Sequence, residues 1–254
     1  MDIKSFLDEK VDLYNRPEFI AVDPISIPHQ FSKKEDIEIS GFLAAAIAWG
    51  QRPTILKNAG RLMQMMDNSP YEFILHHNKN ELKPFSKFVH RTFNGIDCIY
   101  FIQSLKNVYK NHGGLEKVFS DNFKKESSNA SQTIHSFRKI FLELPHQKRT
   151  EKHIADPLAN SSAKRICMFL RWMVRKDKRG VDFGIWNTVK MNHLACPLDL
   201  HSARVARSLG LLQRKQNDWK AVMELTNRLK KFDPADPVKY DFALFGLGIN
   251  EKFQ

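Results

Sequence analysis

The strongest constraint on this chain is a period. Apolar residues recur every three to four positions in segment after segment, and no long stretch alternates apolar with polar residues as a half-buried strand does. Ile166, Phe169, Leu170, Met173 and Val174 fall at i, i+3, i+4, i+7 and i+8, the apolar stripe of a helix packed on one side. Asp36 opens an alanine-rich, nearly uncharged run to Gly50 that predicts a central helix buried on most faces. Gln51-Arg52-Pro53 then bridges to a helix with Ile55, Leu56, Ala59, Leu62, Met63 and Met66 on one side, and Pro53 suits its first turn. The expected fold class is all-α.

Further helices are predicted around Ile3 to Val11, Ile96–Tyr109, Leu115–Phe123, Ile134–Leu144 and Trp219–Leu229, with a last one from Val238 to Gly246 after the breaker Asp233-Pro-Ala-Asp-Pro237. Within residues 1–35 that first helix is followed by an extended arm carrying Pro24 and Pro28, 124–133 reads as a mobile polar loop, and no internal repeat appears. Between 83 and 93, Lys83, Lys87, His90 and Arg91 interleave with Phe85, Phe88 and Phe93, a mixture that suits either a nucleic-acid face or core packing. With 254 residues and 42% hydrophobic content, the chain can bury a sizeable core over 1–254, as one domain or as two intimately packed lobes.

A formal net charge of +12 attracts polyanions whatever their sequence, so nucleic acid is the leading partner and an anionic membrane surface the second. No run approaches the length needed to cross a bilayer, and the amino end lacks an apolar signal core, which points to a cytoplasmic protein. Three widely spaced cysteines, Cys98, Cys167 and Cys196, build neither a disulfide framework nor a four-cysteine cluster, and they read as small buried hydrophobes. The histidines are scattered without metal-ligand spacing, and no glycine-rich phosphate loop occurs, so neither a metal nor a nucleotide cofactor is expected.

What remains is an amine and a carboxylate at two helix starts. Lys164 lies in the first turn of the 166–174 helix, and Asp199 is the natural N-cap of a run whose apolar positions Leu200, Ala203, Ala206 and Leu209 recur every three residues, with Gly210 near its end. The positive end of a helix dipole disfavours a protonated amine and favours a carboxylate, so such a pair suits a nucleophile beside a proton acceptor. Residues 153–212 are therefore the candidate catalytic region.

Pro-Leu-Asp-Leu-His-Ser-Ala-Arg-Val-Ala-Arg-Ser-Leu-Gly over 197–210 resembles the Val-Asp-Thr-His-Val-x-Arg-Val segment of the helix-hairpin-helix DNA glycosylases, such as endonuclease III and the 8-oxoguanine glycosylases, through Asp199, His201, Arg204 and Val205. Asn160-Ser-Ser-Ala-Lys164 is placed like that family's Gly-Val-Gly-x-Lys hairpin, with Asn160 and Ser162 where it has glycines. The resemblance implies a two-lobed glycosylase-like fold, Asp199 as the catalytic carboxylate and Lys164 as the lysine that forms a Schiff base. Residues 176–193 form an insertion expected to loop out, as in the archaeal 8-oxoguanine glycosylases. Phe42 to Gln51 resembles the family's apolar helix ending in a glutamine near the flipped base. Over nearly its whole length the chain is similar to a bacterial family of uncharacterised proteins related to those glycosylases, sharing Phe-Leu-Arg-Trp-Met-Val-Arg (169–175) and Lys-Tyr-Asp-Phe-Ala-Leu-Phe-Gly-Leu-Gly (239–248).

The resemblance implies excision of a damaged base, with an oxidised purine as the candidate class, by a monomer acting on double-stranded DNA in the nucleoid. Gln51, Trp172, Tyr240, Asp241 and Phe245 are the candidate base-pocket residues. Arg52, Asn160, Ser161, Ser162, Arg165, His201 and Arg204 are candidate DNA contacts, and Arg171, Arg175 and Arg207 further candidates for phosphate. The alternative is a non-catalytic DNA-binding protein that keeps the fold without the chemistry.

Overall fold

The computed structural model describes residues 2–123 and 129–251. In chain order its helices are α1 (Ile3–Tyr14), α2 (Lys34–Ala46), α3 (Arg52–Gln64), α4 (Pro70–His76), α5 (Gly95–Asn111), α6 (Leu115–Phe123), α7 (Ala130–Phe141), α8 (Lys164–Val174), α9 (Leu200–Ser208), α10 (Trp219–Phe232) and α11 (Tyr240–Asn250). Between α4 and α5 stand two short strands, β1 (Val89–His90) and β2 (Phe93–Asn94), paired antiparallel with His90 opposite Phe93. The protein is mostly helical. It divides into a central unit, Val22 to α6 together with Thr133–Ala155, and a terminal unit made of the chain before Val22, Asn129–Gln132 and the chain from Asp156 onward.

In the central unit α2 is the core helix, as its alanines predict: every residue from Ile37 to Ala48 is buried. Small side chains let neighbours close in, and Phe42 meets Phe101, Phe137 and Phe141 at ring-centroid distances of 6.0, 5.6 and 5.2 Å. Glu38 is buried in this helix and accepts a hydrogen bond from Tyr109 Oη at 2.6 Å, which satisfies a charge the apolar pattern did not announce. The helix ends at Ala46 rather than at Gly50; the chain turns through Ile47–Trp49, and Gly50 takes φ +102°. α3 buries Ile55, Ala59, Leu62 and Met63, with Pro53 in its first turn.

Asn94 caps α5 by accepting from Ile96 N at 3.1 Å, while Asp97 accepts from Asn94 N at 3.0 Å, a reciprocal capping box. The expected extended arm is instead a series of 3₁₀ turns, Pro17–Val22, Pro24–Ser26 and Pro28–Gln30, because prolines fix φ at turn-compatible values. Of the expected loop 124–133, residues 124–128 lie outside the described residues and 130–133 are the first turn of α7.

In the terminal unit α11 packs against both α1 and α9. It runs past Gly246, where the sequence suggested an end, because the glycines serve close approach. A Cβ at Gly246 would lie 2.2 Å from the Tyr14 ring, and one at Gly248 would lie 2.9 Å from His201 Cβ. α8 is buried on all sides from Ile166 to Val174 rather than along one stripe. One cover is the 176–193 segment, which folds back instead of looping out. Phe183 N and Trp186 N donate to the carbonyls of Trp172 and Met173 at 2.8 and 2.9 Å, and the Trp186 ring meets Phe169 edge-on at 5.5 Å.

Candidate functional site

The approach to α8 is a tight hairpin. Asp156 accepts from Leu158 N at 3.0 Å to cap the turn Pro157–Ala159, and Asn160 and Ala163 then adopt left-handed backbone, φ 63° and 47°. Asparagine tolerates that region, whereas for alanine it costs about 1 kcal/mol. The hairpin is tied to the start of α10: Asn160 Nδ2 donates to Asp218 Oδ2 at 2.9 Å, and Ser161 bridges to Asp218 through the backbone. Bonding to Arg214 holds the Asp218 carboxyl well below the usual carboxylate range. α8 begins at Lys164 with no side chain capping its first amides.

Asp199 is the N-cap of α9, and its two oxygens have different neighbours. Oδ1 accepts from Ser202 N at 2.8 Å, whereas Oδ2 lies 3.9 Å from Lys164 Nζ. Both side chains keep partial solvent access. The helix buries Ser202, Ala203, Val205 and Ala206, so the expected every-third-residue stripe is corrected at its start. Leu200 is 77% exposed, because three residues fall 60° short of a full helical turn and Leu200 has rotated off the core face. Arg204 is exposed and shares its Nη2 with His201 Nδ1 at 3.3 Å. Gly210, at φ 69°, lets the chain reverse, and Leu211 N returns to Ala206 O at 2.8 Å.

Asp241 stands next to this pair. It is 6% exposed, Arg171 Nη1 donates to its Oδ2, and burial pushes its carboxyl up to about 6, with Arg171 and Lys164 opposing and Asp199 adding to the shift. From Arg171 an ionic network runs inward. Arg171 Nε donates to Asp182 Oδ1 at 3.2 Å, Arg175 Nη1 to Asp182 Oδ2 at 3.1 Å, and Arg175 Nε to Asp236 Oδ2 at 2.9 Å. Arg175 Nη1 also lies 2.8 Å from Asp177. Burial works against the Arg175 charge, but Asp182, Asp236 and Asp177 together hold its guanidinium above the usual range.

Arg171 and Arg175 are therefore not phosphate contacts; their charges are consumed inside the protein. Arg207 is likewise structural, donating to the carbonyls of Arg214 and Lys215, both at 2.9 Å. Asp177, Asp182 and Asp236 were missed by the sequence reading. Their only signal was a pair of arginines four apart in an otherwise apolar helix, which demands buried carboxylates from elsewhere.

Trp172 and Tyr240 are fully buried, and the Trp172 indole N–H meets no acceptor. Phe245 is half-buried, with Phe19 edge-on at 6.1 Å. Ser162 and Arg165 are half-buried in the hairpin and first turn, and burial lowers the Arg165 pKa to about 10. Gln51 and Arg52 belong to the central unit, where Gln51 is exposed at the start of α3 and Arg52 is half-buried. All three cysteines are free and buried. Among the described residues, no three His, Cys, Asp or Glu side chains gather as a metal site, and no helix is long and apolar enough to cross a membrane.

Fold and site together define a mostly helical protein with a part-exposed lysine and carboxylate brought together from two helix starts. Residues 23–250 match the model of the family described as protein of unknown function (DUF2400), and the chain belongs to that family. No curated protein and no solved structure matches it significantly.

Proposed function

We propose that this protein is a DNA glycosylase with a helix-hairpin-helix glycosylase-like fold, which removes a damaged base from a nucleotide rotated out of the duplex. The observation that carries the reading is the pairing of Lys164 Nζ with Asp199 Oδ2 at 3.9 Å, from two helix starts, with solvent access to both. The resemblance of residues 197–210 to the glycosylase segment and the net charge of +12 support it.

In the proposed reaction the lone pair of the unprotonated Lys164 amine forms a bond to C1′ of the sugar. The glycosidic bond breaks, and its electron pair leaves with the base, which takes up a proton. Asp199 Oδ2 accepts the proton that the amine releases, while Oδ1 stays committed to the cap. Opening of the sugar then yields a protonated Schiff base, from which strand cleavage by elimination can follow. Asp241, held by Arg171 and within electrostatic reach of both Lys164 and Asp199, is the pocket residue beside this chemistry. The hairpin Asn160–Ser162 with Arg165, His201 and Arg204 supplies phosphate contacts.

The test is a panel of duplexes with single lesions, 8-oxoguanine among them, incubated with protein and borohydride, which delivers hydride to the Schiff base and fixes the adduct. Wild type gives a covalent adduct with at least one lesion, and Lys164→Gln binds the same duplex but gives none. An equal adduct yield from Lys164→Gln removes the lysine from the mechanism. Salt-sensitive binding with no adduct and no base release on any duplex favours a DNA-binding protein that lacks the chemistry.

A further inference from the structure

Within the central unit, the β1–β2 hairpin carries a second feature that the chemistry above does not use. His90 opposite Phe93 leaves Arg91 and Thr92 as a two-residue turn, and Arg91 sits in left-handed backbone at φ 54°. Glycine or asparagine is the usual occupant of such a position, and a bulky residue kept there against strain points to a job for its side chain. The hairpin also sorts the mixed basic and aromatic run that the sequence left open. Phe85, Phe88, His90 and Phe93 face the core, while Lys83, Lys87, Val89 and Arg91 face solvent, Val89 at 58% exposure.

Its position is fixed from two sides. His90 Nε2 lies 3.1 Å from Trp49 O, and its Nδ1 lies 2.9 Å from Asn58 Nδ2 on α3, which pins β1 to the turn between α2 and α3. On the other flank, Arg149 Nη2 donates to Thr92 O at 3.0 Å, and Arg149 Nη1 stands 2.9 Å from the buried carboxylate of Asp97. The Arg91 side chain then lies across Gly50: a Cβ there would stand 3.0 Å from Arg91 Nη1 and 3.1 Å from its Cδ. Gly50 is thus the floor on which the Arg91 side chain rests, directly before exposed Gln51. Among the described residues Arg91 makes no ion pair, and its side chain donates no hydrogen bond. Other charged residues of the central unit are paired, among them Lys33–Glu72, Arg138–Glu151 and Arg149–Asp97.

We infer that the hairpin tip and the α2–α3 turn form one preorganised phosphate-binding surface, in which Arg91, resting on Gly50 beside Gln51, grips the backbone of duplex DNA. The inference rests on the DNA-processing reading above and assigns it a contact surface in the central unit. An arginine whose hairpin is pinned on both flanks and whose side chain rests on Gly50 loses less freedom on binding, and a guanidinium fits two phosphate oxygens at once. Such a contact is independent of base sequence.

The experiment is fluorescence anisotropy of the full chain with a short undamaged duplex across a salt series. Wild type binds with affinity that falls steeply with salt. Arg91→Ala and Arg91→Gly each lose about fivefold in affinity at 0.15 M salt and reduce the steepness of log K against log salt by about 0.9, the signature of one phosphate contact. Arg91→Gly relieves the left-handed strain, so its melting temperature is no lower than wild type, which separates lost contact from lost fold. Lys231→Ala, exposed near the end of α10, keeps the wild-type slope. Wild-type slopes in both Arg91 variants, or an equal loss in Lys231→Ala, overturn the Arg91 assignment alone. A wild-type chain with no salt-dependent duplex affinity overturns it together with the glycosylase reading.

Discussion

The two ends of α8 treat their cations in opposite ways. At its start, Lys164 has partial exposure and, among the described residues, a single ion pair, with Asp199 at 3.9 Å. At its end, Arg171 and Arg175 are 3 and 2% exposed and are enclosed by Asp177, Asp182, Asp236 and Asp241. A buried charge survives only when carboxylates and hydrogen bonds replace the water it has lost, and it is then fixed as scaffold. A charge left loosely paired at the surface adds little stability and remains available to a substrate. Residues of similar chemistry on a single helix thus divide into structural and candidate functional sets by how completely they are satisfied.

The largest effect that would break this contrast lies at the buried end. Arg175→Ala strands Asp236 without its cation, leaves Asp182 with Arg171 alone and is expected to destabilise the protein by about 3–5 kcal/mol in denaturant unfolding, whereas Lys164→Gln stays within about 1 kcal/mol of wild type. Comparable losses in the two variants would erase the distinction.

Asp241, between the two ends, is expected to sharpen it through pH. Its carboxyl is raised from 3.8 to about 6 in the folded protein, so the unfolded chain ionises first as the pH climbs through that window. Wild type accordingly loses stability relative to Asp241→Asn between about pH 4 and 6, by up to about 3 kcal/mol, and the difference is flat below and above it. Melting curves of both proteins across that range measure it; a constant offset would mean that Asp241 is ionised throughout.

A smaller effect separates the two oxygens of Asp199. Asp199→Ala removes the cap on α9 and costs about 1 kcal/mol, while Asp199→Asn keeps a capping oxygen and stays near wild-type stability. Both remove the carboxylate facing Lys164, so both are expected to lower base release. Full activity in Asp199→Asn would reduce the residue to a cap. Smallest of all, Leu200→Ala is expected to shift stability by no more than about 0.5 kcal/mol, because the side chain is already in water. A loss of the size seen for a buried leucine would restore the stripe read from the sequence.

Several elements were legible in the sequence because their causes are local. The Lys164 and Asp199 helix starts, the alanine-rich body of α2, Pro53 in the first turn of α3 and the glycine reversal at 210 follow from spacing, capping and backbone geometry within a few residues. The β1–β2 hairpin was not legible, since its strands are two residues each and its turn carries Arg91 and Thr92 in place of the asparagine and glycine that advertise such turns. Nor was the length of α11, where glycines that ordinarily end a helix instead admit Tyr14 and His201.

By itself, then, the sequence determined a helical chain, a strongly basic charge and two polar residues poised at helix starts. Tertiary structure decided which cations are spent. Arg171 meets Asp241 seventy positions along the chain, Arg175 draws carboxylates from the segment just after α8 and from Asp236 sixty-one positions on, and Arg91 rests on Gly50 with no ion pair among the described residues. The reason is physical: a helix start is set by neighbours within one turn, whereas the desolvation that forces a charge to find a partner arises only when distant segments close over it.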